Sequence, residues 1–384
     1  MSATRSRARV VAAAAGVLAL YALIGGGPAT AESGVTAAPG AGLWRILAPP
    51  VPGDRRSALV DADPLGTTSA WATGWVSASA GDSDFPRRPL VMRLVGDRWV
   101  STAVTDADPA GEYERGVAAA GPADAWLAGM DGSGIVTRRW NGTAWTRIPF
   151  GLTADEDGWL ECGRVAAVPG RAWMITTGVF GGYSHSRVAG WNGSAWAWLP
   201  DVTETYGDLY DIDAAGRDAV WVVGGSFEKG FALQWNGTRW VDRLPGRADL
   251  NLLRVHVASR TSVWAYGERT GGPEVERVLL HWNGTGWTEQ VVPGGVVSGG
   301  VTATPDGAAW VVARGDAPDR TRYLRFSGGG YRAVDGPART DAFGVTVGDL
   351  VTLPGRGEPL MVGQAAVLGA PAAAASEARR AGAL

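Results

Sequence analysis

The sequence predicts an all-β fold, a β-propeller of seven four-stranded blades, and three observations carry that prediction. Tryptophans recur as landmarks: Trp71, Trp126, Trp173, Trp221, Trp264 and Trp310 follow one another at a mean spacing of about 48 residues. A second series comes as a doublet around an Asn-Gly turn: Trp140-Asn-Gly-Thr-Ala-Trp145, Trp191-Asn-Gly-Ser-Ala-Trp196, Trp235-Asn-Gly-Thr-Arg-Trp240 and Trp282-Asn-Gly-Thr-Gly-Trp287. Degenerate doublets flank them at Leu94–Trp99 and Phe326–Tyr331. Third, no stretch between residues 40 and 370 carries the 3.6-residue apolar period of a helix. The 57 glycines and 22 prolines fit a chain made of short strands and many turns.

From the N-terminus, residues 1–31 read as a signal peptide. Arg5, Arg7 and Arg9 precede an apolar run from Val10 to Ile24, and Ala29-Thr30-Ala31 forms a small-x-small cleavage site. The run is shorter than the roughly 20 apolar residues of a spanning helix. The expectation is therefore a secreted chain with no stable membrane insertion after processing; an uncleaved N-terminal anchor is the alternative. Residues 32–41 read as a linker, 42–370 as the propeller and 371–384 as an Ala-rich flexible tail.

Within the propeller each unit reads as four strands. The first is a small-residue segment such as Val165-Ala-Ala-Val168. A turn leads to the second, for example Ala219-Val-Trp-Val-Val223. The third ends at the first tryptophan of the doublet, and the fourth begins at the second. Asn-Gly between them is a strong hairpin signal, because tight turns need residues that tolerate positive φ. Asn141, Asn192, Asn236 and Asn283 also match the glycosylation sequon, but turn chemistry already accounts for them. Six units span Arg56 to Ala342. A partial seventh follows, with Val345–Val347 as its first strand, Pro359–Gly363 as its second and Ala365–Leu368 as its third. Leu43-Trp44-Arg-Ile-Leu-Ala-Pro49 matches a fourth strand, so the predicted ring is closed by pairing of the N- and C-terminal segments, which removes open sheet edges. Six blades is the alternative.

One unit carries a family likeness. Trp221-Val-Val-Gly-Gly225, Trp235-Asn236 and Trp240 with Leu244-Pro245 resemble a kelch repeat of the galactose-oxidase type, and Asn-Gly followed by Trp is similar to the Asp-box hairpin of sialidase-like propellers. The resemblance implies the propeller fold and transfers no site: the copper ligands and Cys–Tyr pair of galactose oxidase have no counterpart here. Lys229 is the one lysine among 35 basic residues, which, with abundant alanine, reads as an exported protein of the high-GC, actinobacterial type.

Composition narrows the function classes. A net charge of −3 argues against a nucleic-acid partner. One cysteine excludes a disulfide framework, and with three histidines it leaves little for a metal centre. No cofactor or metal is expected, and the chain reads as a monomer. Cys162 reads as a small buried hydrophobe. The tryptophans read as packing between blades rather than as sugar platforms.

Charges that interrupt the repeat mark the candidate site. With the first strands aligned on Val60, Val117, Val165, Ile212, Val255, Val301 and Val345, the flanking positions hold Asp61, Arg164, Asp211, Asp213, Arg254 and His256. Residues two apart in a strand share a face, so these six should converge on the central channel. Opposite charges there should hold the aspartates below the usual carboxylate range. A second candidate surface is the rim of connections, with Tyr113, Trp159, Tyr206, Tyr183 and His185 beside acidic Asp106, Asp108, Glu112 and Glu114. The reading this supports is a non-enzymatic binding propeller for a glycan or another exported or cell-surface protein. The alternative is a polysaccharide hydrolase or lyase using the channel carboxylates.

Overall fold

A computed structural model describes residues 57–365 apart from 78–85, 97, 156–157, 203–206, 227–228, 246, 270–271, 273, 294–299, 315–319, 339–346 and 358. The chain divides into two units, Met1–Val35 and Thr36–Leu384; the first lies outside the described residues, and the propeller belongs to the second.

Six four-stranded antiparallel blades are formed by residues 57–101, 112–148, 160–198, 208–242, 250–291 and 301–338, each with its strands in sequential order. The predicted count of seven is wrong. After the sixth blade the described residues hold only a two-stranded hairpin, Val347–Thr352 with Pro359–Ala365. It joins the first blade through Ser57↔Ala365 and Ala58↔Gln364, making one six-stranded sheet rather than a seventh blade. The two-strand piece still covers both neighbours: Leu350 and Met361 pack on Trp310 and Tyr323 of blade 6, while Leu353 and Val362 pack with Leu94 and Trp99 of blade 1. The expected closing strand at residues 42–49, with Trp44, and the third strand beyond Ala365 fall outside the described residues.

The tryptophan repeat is a packing device. The strand-two tryptophans sit opposite the first strand of their own blade, as in Asp213↔Trp221, and Trp71, Trp126 and Trp221 meet the doublet of the next blade. Trp71 packs edge-on against Trp140 and Trp145 with ring centroids 5.1 and 5.0 Å away. Trp126 repeats this with Trp191 and Trp196, and Trp221 with Trp282 and Trp287. Trp126, Trp173, Trp221 and Trp264 are all buried, as predicted.

The doublet turn is a four-residue loop rather than a two-residue hairpin. Trp140 pairs with Trp145, and Asn141 Oδ1 accepts from the Thr143 N–H, the Thr143 hydroxyl and the Ala144 N–H. Asparagine supplies the acceptor that closes the loop, and Gly142 supplies the φ of +99° that a side chain would resist.

A β-bulge explains the glycine of the Trp-x-x-Gly motif. The first strands shift register one residue before their central position, between Leu59 and Asp61 or between Leu209 and Asp211. There the backbone of the second strand is pressed close: a Cβ at Gly224 would stand 2.0 Å from the Asp208 carbonyl oxygen. Only glycine fits. In blades 1 and 4 the same bulge re-aims the inward residues of the first strand.

Candidate functional site

The first strands surround a cavity of about 270 Å³. Its wall includes Asp61, Asp63, Arg164, Asp211, Asp213, His256 and Asp349. Sequence alignment on Val60 and Val345 placed the end blades out of register. By pairing to the strand-two tryptophan, Asp63 is the counterpart of Asp213 and Asp61 that of Asp211. Asp63 and Asp349 were therefore missed. The signal was present in the repeated Asp-x-Asp spelling of Asp61-Ala-Asp63 and Asp211-Ile-Asp213, which only the bulge makes interpretable.

These carboxylates fasten one blade to the next. Asp61 Oδ2 accepts from the Val117 N–H at 2.8 Å and Asp63 Oδ2 from the Ala119 N–H at 2.7 Å. Blade 4 repeats the device on blade 5: Asp211 Oδ2 accepts from Val255 N–H at 2.9 Å and Asp213 Oδ2 from Val257 N–H at 2.7 Å. The first strands of a propeller are not laddered to one another, so their inward amides need acceptors from elsewhere. Aspartate is short enough to reach across.

Arg164 gathers the aspartates of the same level. It pairs with Asp61, with Asp349 at 3.3 Å and with Asp211 at 3.4 Å. Those three charges hold its guanidinium above its ordinary range despite burial. One level away, His256 Nδ1 lies 3.4 Å from Asp213 Oδ2. The expectation that the aspartates sit low is overturned: burial raises Asp61, Asp63 and Asp211, outweighing Arg164 beside Asp61 and Asp211. Arg254, by contrast, is lowered, first by burial and then by the charge of Arg164.

The rim predicted from sequence divides into exposed and buried parts. Tyr113, Trp159, Tyr183 and His185 all lie at the end where the first strands begin, the upper face. Trp159 is 43% and Tyr183 56% exposed, and Tyr210 joins them at 38%. Tyr113 accepts a hydrogen bond from Arg115 Nη2 at 3.1 Å, and Arg87 and Arg115 lie over its ring. His185 lies tilted against Phe180, with ring centroids 5.1 Å apart. Tyr206 is outside the described residues. Glu112 and Glu114, read as rim acids, are instead buried in the first strand of blade 2, where Arg138 binds both and Asp106 as well. Arg138 was not singled out; its one sequence signal is a charge inside the third strand, Gly134–Trp140. Cys162 is buried as expected, its Sγ donating to the Gly129 carbonyl at 3.2 Å, and burial pushes its thiol up to about 12.

Among the described residues no group of three or more His, Cys, Asp or Glu side chains could hold a metal ion, and no helix is long and apolar enough to cross a membrane. No protein-family model matches the chain, and no curated protein matches it in sequence. Among solved structures it is similar to YCF48 from Cyanidioschyzon merolae, at 16% identity over 82% of this chain and 94% of that one, TM-score 0.52. It is also similar to the GH74 xyloglucanase from Xanthomonas campestris, at 15% identity over 80% of this chain and 51% of that one, TM-score 0.54. The Aleuria aurantia lectin in complex with α-methyl-L-fucoside matches at 11% identity over 75% of this chain and 97% of that one, TM-score 0.45. The first two likenesses, taken with the six radial sheets, show the fold: the chain is a β-propeller.

Proposed function

We propose that this is an exported, non-enzymatic binding propeller that engages a glycan, or another exported or cell-surface protein, across its upper face. The observation that carries the reading is the division of labour between the two candidate surfaces. The channel aspartates Asp61, Asp63, Asp211 and Asp213 each accept a main-chain N–H from the neighbouring blade. A general acid or nucleophile must be able to approach the reacting atoms, and these carboxylates are engaged as fasteners. The upper face, in contrast, presents Trp159, Tyr183 and Tyr210 to solvent on a rigid scaffold. Large amphipathic rings in that setting suit contact with a sugar face or a partner surface. The kelch-type likeness of the fourth unit and the export signal belong to the same proposal.

Glycan-array and surface-display binding, with the parent and a Trp159→Ala/Tyr183→Ala double variant, test it. Binding lost in the variant at unchanged melting temperature is the expected result. Hydrolysis of a polysaccharide by the parent, abolished in a folded Asp211→Asn/Asp213→Asn variant, would replace the reading with the hydrolase.

A further inference from the structure

Two arginines occupy equivalent inward positions of first strands, and their surroundings differ sharply. Arg164 meets three aspartates. Arg254, at the equivalent inward position of blade 5, makes no ion pair among the described residues. Its Nη1 donates to the Leu253 carbonyl at 2.8 Å, and its Nε is shut off from solvent with no acceptor. A guanidinium has five donors and does not give up its charge. Leaving one half-buried with a single carbonyl partner is costly unless an anion completes it.

Asp211, Asp349 and Asp61 attract it through their fields without pairing with it. Asp211 spends Oδ1 on the Ile212 N–H and Oδ2 on the Val255 N–H, and the Arg164 Nε also lies 3.4 Å from Oδ1. Asp61 and Asp349 are turned to Arg164. Residue Arg254 lies four residues into a strand that begins at Leu250 on the upper face. That is the face carrying Trp159, Tyr183 and Tyr210.

We propose that Arg254 seats the carboxylate of an acidic glycan, a uronic-acid residue reaching into the channel from the upper face. This rests on the binding reading above and assigns its ligand class. A carboxylate matches the planar guanidinium fork in a way a hydroxyl does not, and the exposed aromatic rings suit the sugar faces that follow it.

The test is calorimetric titration of the purified chain with oligosaccharides of galacturonate, glucuronate and mannuronate, with neutral galacto- and gluco-oligosaccharides, and with a Glu-rich peptide. Arg254→Gln and Arg254→Lys are compared with the parent. The expected result is binding of a uronate oligosaccharide, weakened about tenfold or more by Arg254→Gln. Arg254→Lys should restore part of it, because charge returns without the fork. Arg254→Gln removes no ion pair found among the described residues, and its melting temperature is measured beside the parent's, so loss of binding is separated from loss of fold. Equal affinity in parent and Arg254→Gln overturns the inference, as does peptide binding without uronate binding. A neutral glycan bound equally by parent and variant sinks this assignment but leaves the binding propeller standing. Absence of any bound glycan or protein sinks both.

Discussion

The Asp-x-Asp pairs of blades 1 and 4 and the Glu-x-Glu pair of blade 2 occupy the same kind of strand, the first of the blade, yet their carboxylates meet different donors. Asp61, Asp63, Asp211 and Asp213 reach main-chain amides of the next blade. Glu112 and Glu114, with Tyr113 between them, turn toward the guanidinium of Arg138 inside their own blade. Arg138 also holds Asp106 through Nε at 2.8 Å, and Glu112 Oε2 accepts the Asp108 N–H at 3.0 Å, so the knot fastens the connection leading into blade 2. One cation facing two buried glutamates leaves a surplus. Glu114 Oε2 has no donor among the described residues, and burial raises Glu114 to about 8, against the pull of Arg138 and with a further push from Glu112. Dispersed amide donors satisfy several carboxylates separately; a single guanidinium shared by two leaves one of them, Glu114, easier to protonate.

Breaking the knot should have the largest effect. Arg138→Leu leaves two buried carboxylates without their cation and should cost about 3–5 kcal/mol in urea unfolding. An unchanged midpoint would mean that the knot is not what holds the connection. Trp221→Ala, which opens the junction between blades 4 and 5, should fall in the same range of about 3–5 kcal/mol. Trp221→Phe should cost far less, because the indole N–H it removes has no acceptor among the described residues.

The fasteners should be individually weaker. Asp211→Ala strips the acceptors from the Ile212 and Val255 amides and should cost about 1–3 kcal/mol in all. Asp211→Asn keeps one acceptor and should cost less than Asp211→Ala. If the two variants unfold together, amide satisfaction is not the role of Asp211.

The smallest effect is the pH dependence of Glu114. Burial raises its folded pKa from the ordinary 4.5 to about 8, so the folded state holds a proton that the unfolded chain releases across that window. Stability from this group is fully present below about pH 4.5 and is lost as pH rises toward about 8. Asp61, Asp63 and Asp211 are raised as well and slope the same way. Glu114→Gln isolates one contribution: its melting temperature should gain on that of the parent from pH 5 to pH 8, by roughly a few degrees. A constant gap across that range would show Glu114 ionised throughout.

How much was legible depended on whether a residue's role is set by its own strand or by the next blade. The doublets could be read directly, because Trp140↔Trp145 and its three counterparts are local pairs closed by an asparagine and a glycine. Burial of the strand-two tryptophans followed from their repetition. The channel was read only in part. Arg164, Asp211, Asp213 and His256 were found with partners on the cavity wall and Arg254 in register with them, but Asp63 and Asp349 were lost because their strands carry bulges that an alternation of two cannot anticipate. Glu112 and Glu114 were misread as rim acids, since a charged pair next to a connection looks solvated until Arg138, from another strand, is seen to cover it.

The sequence by itself determined the class of the fold, the four-strand unit, its turns and the packing role of its tryptophans, because each follows from local pattern repeated in register. Only the tertiary structure decided the number of complete blades, the partner of every buried carboxylate and the isolation of Arg254. Those depend on which strand lies across from which, and on how far an inward side chain must reach once the bulge has aimed it. Composition and spacing do not encode those distances.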